Sequence, residues 1–125
     1  MLLAEDEPHV RDALVELIGS DAGLRLLGVA ADAKAAVELC ERLQPAVAVI
    51  DVKMPHGGGT AAASGIRSVS PATAVIALSA YDDDGARAAM LDAGVVRYLI
   101  KGGAVEELLD AIRTAAVGEP GVTTA

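Results

Sequence analysis

Residues 46–55, AVAVIDVKMP, decide how this chain is read. Five apolar residues run straight into Asp51, and Met54-Pro55 follows. A carboxylate at the end of a water-excluding strand is expensive to leave unpaired. Asp51 therefore predicts partners brought to it from other parts of the chain.

Four further apolar runs share the character of this one, at residues 1–4, 24–31, 74–78 and 95–100. All are short and nearly continuous, as expected for strands covered on both faces. Between them the apolar spacing changes to three and four. Val10, Ala13, Leu14, Leu17 and Ile18 form one helical stripe, and Ala36, Val37, Cys40 and Leu43 a second. Ala62, Ile66 and Val69 make a weaker third, and Ala86, Ala89, Met90 and Ala93 a fourth. Val105, Leu108, Leu109, Ile112 and Ala116 make the fifth. Pro8 stands where the first helix begins, Gly19 follows its end, and Asp82 is placed to cap the fourth. Alternating strands and helices predict a parallel five-stranded sheet covered by helices on both faces, a doubly wound α/β domain. The domain is assigned residues 1–117. Residues 118–125, GEPGVTTA, lose the periodicity and read as a frayed tail or the start of a linker.

Composition bounds the function. A chain of 125 residues fits one domain, and with 53% hydrophobic residues, no Phe or Trp and two Tyr its core must be aliphatic. No apolar run is long enough to span a membrane, and there is no signal-peptide pattern. A lone cysteine, Cys40, excludes an internal disulfide and suits a reducing, cytoplasmic setting. The formal net charge of −8 would repel phosphate backbones, so no direct contact with nucleic acid is expected.

Four of the five strands end on residues foreign to a core: Glu5-Asp6, Asp51, Ser79 and Lys101. Ligands of open parallel sheets bind outside the carboxyl ends of the strands, where strand order reverses. If the order is 2-1-3-4-5, these residues converge on one pocket. Glu5, Asp6 and Asp51 repel one another there, and a divalent cation is the natural way to keep them ionised. All-oxygen ligands favour Mg²⁺ (or Mn²⁺). Lys101 supplies a compact charge for an acceptor oxygen on the same centre. Asp51 then becomes a carboxylate nucleophile able to take a phosphoryl group.

LLAEDEP (2–8), VIDVKMP (49–55), IALSAY (76–81) and RYLIKG (97–102) together resemble receiver domains of two-component response regulators, over essentially the whole chain. The resemblance implies a flavodoxin-like (βα)5 fold and Asp51 as phosphoacceptor. It implies Glu5 and Asp6 as the acidic metal pair, and Lys53 as a metal ligand through its backbone carbonyl. Ser79 becomes the switch hydroxyl, Lys101 the ion-pair partner of the phosphoryl group, and Tyr98 an aromatic switch. The implied partners are a histidine kinase, a C-terminal output domain outside this sequence, and a second copy meeting the surface of helix four, strand five and helix five. Lys53 and Tyr81 fall at positions that in this family gate water attack on the phosphoryl group.

Three departures stand out. Glu5 occupies a position where Asp is commoner. Lys101 is followed by Gly102, where many relatives have proline. Gly57-Gly58-Gly59 is expected to loosen the loop after the third strand. The ending YLIKGGAVEELLDAIRTAAVGEP is similar to receivers that precede a LuxR-type helix-turn-helix, so transcription regulation is the expected output. A cyclic-dinucleotide enzyme as output is the alternative, and the sequence has the look of a piece excised from a longer regulator.

Plainer readings stand beside these. Glu5 and Asp6 also suit a cap for the first helix, and Ser79 and Lys101 draw their meaning from the constellation. His9 and His56 are read as exposed and inert, Cys40 and Met54 as core. An aspartyl-phosphate phosphohydrolase would need a second carboxylate where Lys53 stands, so the reading is regulatory rather than enzymatic. A flavin domain would need aromatic side chains that this chain does not have.

Overall fold

Every helix of the computed structural model, which describes residues 1–54 and 57–117, follows one of the apolar runs. The strands are β1 (Leu2–Ala4), β2 (Gly28–Ala30), β3 (Val47–Asp51), β4 (Ala74–Ser79) and β5 (Arg97–Ile100). The helices are α1 (Pro8–Gly19), α2 (Ala33–Leu43), α3 (Gly58–Val69), α4 (Asp84–Asp92) and α5 (Val105–Val117). All strand pairs are parallel and the order is β2-β1-β3-β4-β5, the flavodoxin-like arrangement. Residues 118–125, with Pro55 and His56, lie outside the described residues. No described helix is long and apolar enough to cross a membrane.

Alternation along the strands divides the core in two. Leu2, Ala4, Ala30, Ala48, Ile50, Val75, Ala77 and Tyr98 face α2, α3 and α4. Leu3, Val47, Val49, Ile76, Leu78 and Leu99 face α1 and α5. Three helices thus cover the face richer in alanine, where small side chains let them lie close. Two helices cover the other face, and bulkier side chains fill the wider space. Each fully buried Leu, Ile or Val contributes roughly 1.5–3 kcal/mol. Cys40 is fully buried among these residues, and burial pushes its thiol up to about 11, too high for ready reactivity. Met54 is buried in the same cluster, as expected.

Several expectations are corrected locally. β2 is shorter than its apolar run, because Leu24 and Leu26 pack from a loop against the α1–α5 core. The cap of α1 is Glu7, whose carboxylate accepts from Val10 N at 2.7 Å, and neither Glu5 nor Asp6 takes that role. Gly19 is the last residue of α1 and does not follow it. Asp83 caps α4, accepting from Gly85 N and Ala86 N, while Asp82 pairs with Arg87 at 3.0 Å.

Two of the three glycines open α3, and the loop expected to be loosened includes Pro55 and His56, outside the described residues. Gly58 begins α3, and Gly59 N donates to Val52 O at 2.8 Å. A Cβ on Gly59 would stand 2.8 Å from Val52 Cα and 2.9 Å from Asp51 O. The absent side chain lets the first turn of α3 butt against the end of β3.

Candidate functional site

Register brings the polar strand ends together. Ala4 pairs with Ile50, Asp51 with Leu78 and Ser79 with Ile100, so Glu5, Asp51 and Lys101 emerge at one edge of the sheet. Backbone bonds extend the ladder through this edge. Glu5 N donates to Ala30 O at 2.9 Å, Val52 N to Leu78 O at 2.9 Å, and Lys101 N to Ser79 O at 2.7 Å. The functional side chains therefore stand on backbone the sheet has already fixed.

The ammonium of Lys101 lies 2.7 Å from Glu5 Oε1 and 3.1 Å from Asp51 Oδ1. Glu5 is 1% exposed and Asp51 6%. Glu5 Oε2 also accepts from Glu7 N at 3.2 Å. Burial pushes the Asp51 carboxyl up to about 6, and Glu5 beside it pushes the same way, with Lys101 opposing both. For Lys101 burial works against the charge, but the two carboxylates prevail and hold the ammonium above its ordinary value.

Asp6 is exposed at the rim. Glu5, Asp6 and Asp51 each offer a carboxylate oxygen, and the three atoms lie within 4.8 Å of one another. Three acidic groups sharing one lysine leave an excess of negative charge. Their hard oxygen donors suit a divalent cation such as Mg²⁺, and nitrogen or sulfur ligands are not part of the set.

Ser79 is bonded within its own turn. Its hydroxyl donates to Tyr81 O at 2.9 Å and accepts from Tyr81 N at 3.2 Å, which ties it into its own turn and not to Asp51. Tyr98 is 6% exposed, and its hydroxyl donates to the same Tyr81 carbonyl at 3.2 Å. The Arg87 guanidinium sits 4.7 Å from the Tyr98 ring centroid. Lys53 is exposed; its backbone N–H reaches Asp51 Oδ1 at 3.4 Å, a weak contact, and its ammonium lies 5.3 Å from the Tyr81 ring centroid. His9 is exposed, as read from the sequence.

Sequence reasoning missed the Tyr81 carbonyl as a common acceptor and Arg87 as the cover of Tyr98. A backbone acceptor leaves no mark in residue type. Arg87 carried a faint signal, as the lone cation of an otherwise small and acidic α4.

The chain is similar to known proteins in sequence and in fold. The chain is 37% identical over 117 residues to the uncharacterized transcriptional regulatory protein YxjL of Bacillus subtilis, covering 94% of this chain and 54% of that protein. It is 37% identical over 115 residues to the transcriptional regulatory protein PdtaR of Mycobacterium tuberculosis, covering 92% of this chain and 55% of that protein. The chain thus spans about half the length of the curated relatives it matches. Among solved structures, the signal receiver domain of the putative response regulator NarL from M. tuberculosis superposes with a TM-score of 0.88 at 29% identity, covering 94% of this chain and 95% of that one. A LuxR-family two-component response regulator from Aurantimonas gives 0.87 at 27% identity, covering 98% and 91%. The model of the response regulator receiver domain matches residues 1–113, and with the strand order and the acidic edge beside Lys101 it places the chain in the receiver domain family of two-component response regulators.

Proposed function

We propose that Asp51 is the phosphoacceptor of this receiver domain. The observation that carries the reading is the ammonium of Lys101 standing 2.7 Å from Glu5 and 3.1 Å from a nearly buried Asp51 at the carboxyl edge of the sheet. Such domains work as phosphorylation-controlled switches in two-component signalling, and the chain is regulatory rather than a metabolic enzyme.

A carboxylate oxygen of Asp51 attacks the phosphorus of a phosphohistidine on a histidine kinase. The phosphorus–imidazole bond breaks as the aspartyl phosphate forms, and the imidazole leaves with a proton from solvent. Lys101 balances the charge gathering on the phosphoryl oxygens. Glu5, Asp6 and Asp51, with the Lys53 carbonyl, would hold Mg²⁺ (or Mn²⁺), which when bound neutralises the carboxylates and the incoming phosphoryl group.

Ser79 acts as the switch hydroxyl by leaving the Tyr81 carbonyl for a phosphoryl oxygen, so that Tyr98 becomes the sole side-chain donor to that carbonyl. Contacts present only in the phosphorylated state shift the population toward it. The surface of α4, β5 and α5 reads out the change. Leu91 and Val96 are exposed on it at 48% and 52%, which supports a homodimer there. The signal passes to a C-terminal output domain in the cytoplasm, and the names of the longer relatives, transcriptional regulatory proteins, support transcription as its output.

The test is labelling with acetyl phosphate and Mg²⁺, read by intact mass. Wild type gains one alkali- and hydroxylamine-labile phosphoryl group and folded Asp51→Asn gains none. Equal labelling of the two proteins sinks the assignment.

A further inference from the structure

At the opposite end of the sheet, a cavity of about 670 Å³ opens between the α3–β4 turn, the end of α4 and the last turns of α5. Its wall is largely carbon: Pro71, Val75, Leu91 and Val96 contribute, along with small residues of α5. Two cations frame it, Arg67 from the last turn of α3 and Arg97 at the start of β5. No Asp or Glu lines it, in a chain with 18 acidic and 10 basic residues.

The other arginines near carboxylates are taken: Arg87 pairs with Asp82, and Arg113 with Asp21 and Asp110. Arg67 and Arg97 have no hydrogen-bond or ion-pair partner among the described residues. Arg67 is nonetheless placed. Gly94, at φ +103°, leaves room for its stem, since a Cβ there would lie 3.0 Å from Arg67 Cδ. The apolar cavity of about 390 Å³ between α1 and α5 lacks this charge logic, because its one lysine is Lys101, already committed to Glu5 and Asp51, and it also contains Glu107.

We infer that the Arg67–Arg97 cavity binds a small amphipathic anion, an acyl or aryl body carrying a carboxylate, sulfonate or phosphate. The carbon wall takes the body, and the two guanidiniums take the anionic group through charge-assisted hydrogen bonds. The site lies away from the Asp51 edge and does not rest on the phosphoacceptor reading. It touches α3, α4, β5 and α5, so a ligand there would pin α4 against β5.

The experiment titrates the unphosphorylated protein with anilinonaphthalene sulfonate, followed by amide NMR shifts and fluorescence. Saturable binding is expected, with shifts centred on Val75, Leu91, Val96 and Ala111. Both arginines are exposed, so Arg67→Gln with Arg97→Gln should retain the wild-type unfolding transition. That double variant should bind roughly tenfold or more weakly, and so should the wild type toward uncharged N-phenylnaphthylamine. Unchanged affinity in the double variant, shifts centred on Leu14, Leu17 and Leu108, or no saturation by about 1 mM would each overturn the inference.

Discussion

The ammonium of Lys53 stands 5.3 Å from the centroid of the Tyr81 ring, joining the loop after β3 to the loop after β4. Tyr81 is 64% exposed, so the contact lies at the surface and adds nothing to the core. An exposed cation–π contact is worth about 0.5–1 kcal/mol. Tyr81→Ala should therefore speed hydrolysis of the aspartyl phosphate roughly two- to fivefold by admitting water. Its unfolding midpoint should stay close to wild type. Phosphate release from purified, labelled protein measures the effect, and an unchanged rate removes Tyr81 from the gate.

Asp51 gives a pH dependence of definite sign. Its pKa rises from 3.8 unfolded to about 6 folded, so the folded state binds the proton more tightly. In chelator, the metal-free protein should lose stability as pH rises through that window. Asp51→Asn should be the more stable protein above pH 6, by on the order of 2 kcal/mol, with the gain vanishing below about pH 4. Urea unfolding across this range decides it, and a constant difference at every pH would count against a desolvated Asp51.

Metal should reverse that penalty. Millimolar Mg²⁺ should raise the thermal midpoint of wild type, because an ion that binds only the folded state stabilises it by mass action. Glu5 is fully buried and Asp6 exposed, yet both contribute to the same oxygen cluster. Asp6→Asn should weaken Mg²⁺ affinity about tenfold while leaving the apo midpoint near wild type. A wild-type midpoint indifferent to Mg²⁺ would show that the three carboxylates do not form a cation site.

Two glycines should respond in opposite directions to the same substitution. Gly59→Ala places a methyl 2.8 Å from Val52 Cα, against backbone that β3 holds in place. It should cost about 2 kcal/mol or more, read as a lower urea midpoint. Gly19 has nothing within 4 Å of its would-be Cβ and lies in the last turn of α1. Gly19→Ala should stabilise by up to about 1 kcal/mol. If Gly59→Ala unfolds like wild type, the close approach of α3 to β3 is wrong.

The legible part of this protein is the part written at the ends of its strands. Apolar runs alternating with helical stripes fix the number of layers, and a parallel sheet has a single carboxyl edge. Glu5, Asp6, Asp51 and Lys101 could be gathered from the chain alone because each stands just beyond such a run. Capping was less legible. Asp82 and Asp83 are equally good caps by residue type, and only the path of the turn sends Asp83 to the helix and Asp82 to Arg87.

What the chain determined by itself was the doubly wound sheet and the acidic edge beside Lys101, since a short continuous apolar run, a helical period of 3.6 and a polar residue at a strand end are local signals. Only the tertiary structure decided that Ser79 and Tyr98 share the Tyr81 carbonyl, that Gly59 admits α3 to the end of β3, and that Arg67 lies over Gly94 in a cavity that Arg97 also lines. Those outcomes depend on side-chain direction and backbone approach between segments far apart in sequence. Neither is encoded in the pattern of residue types along one segment.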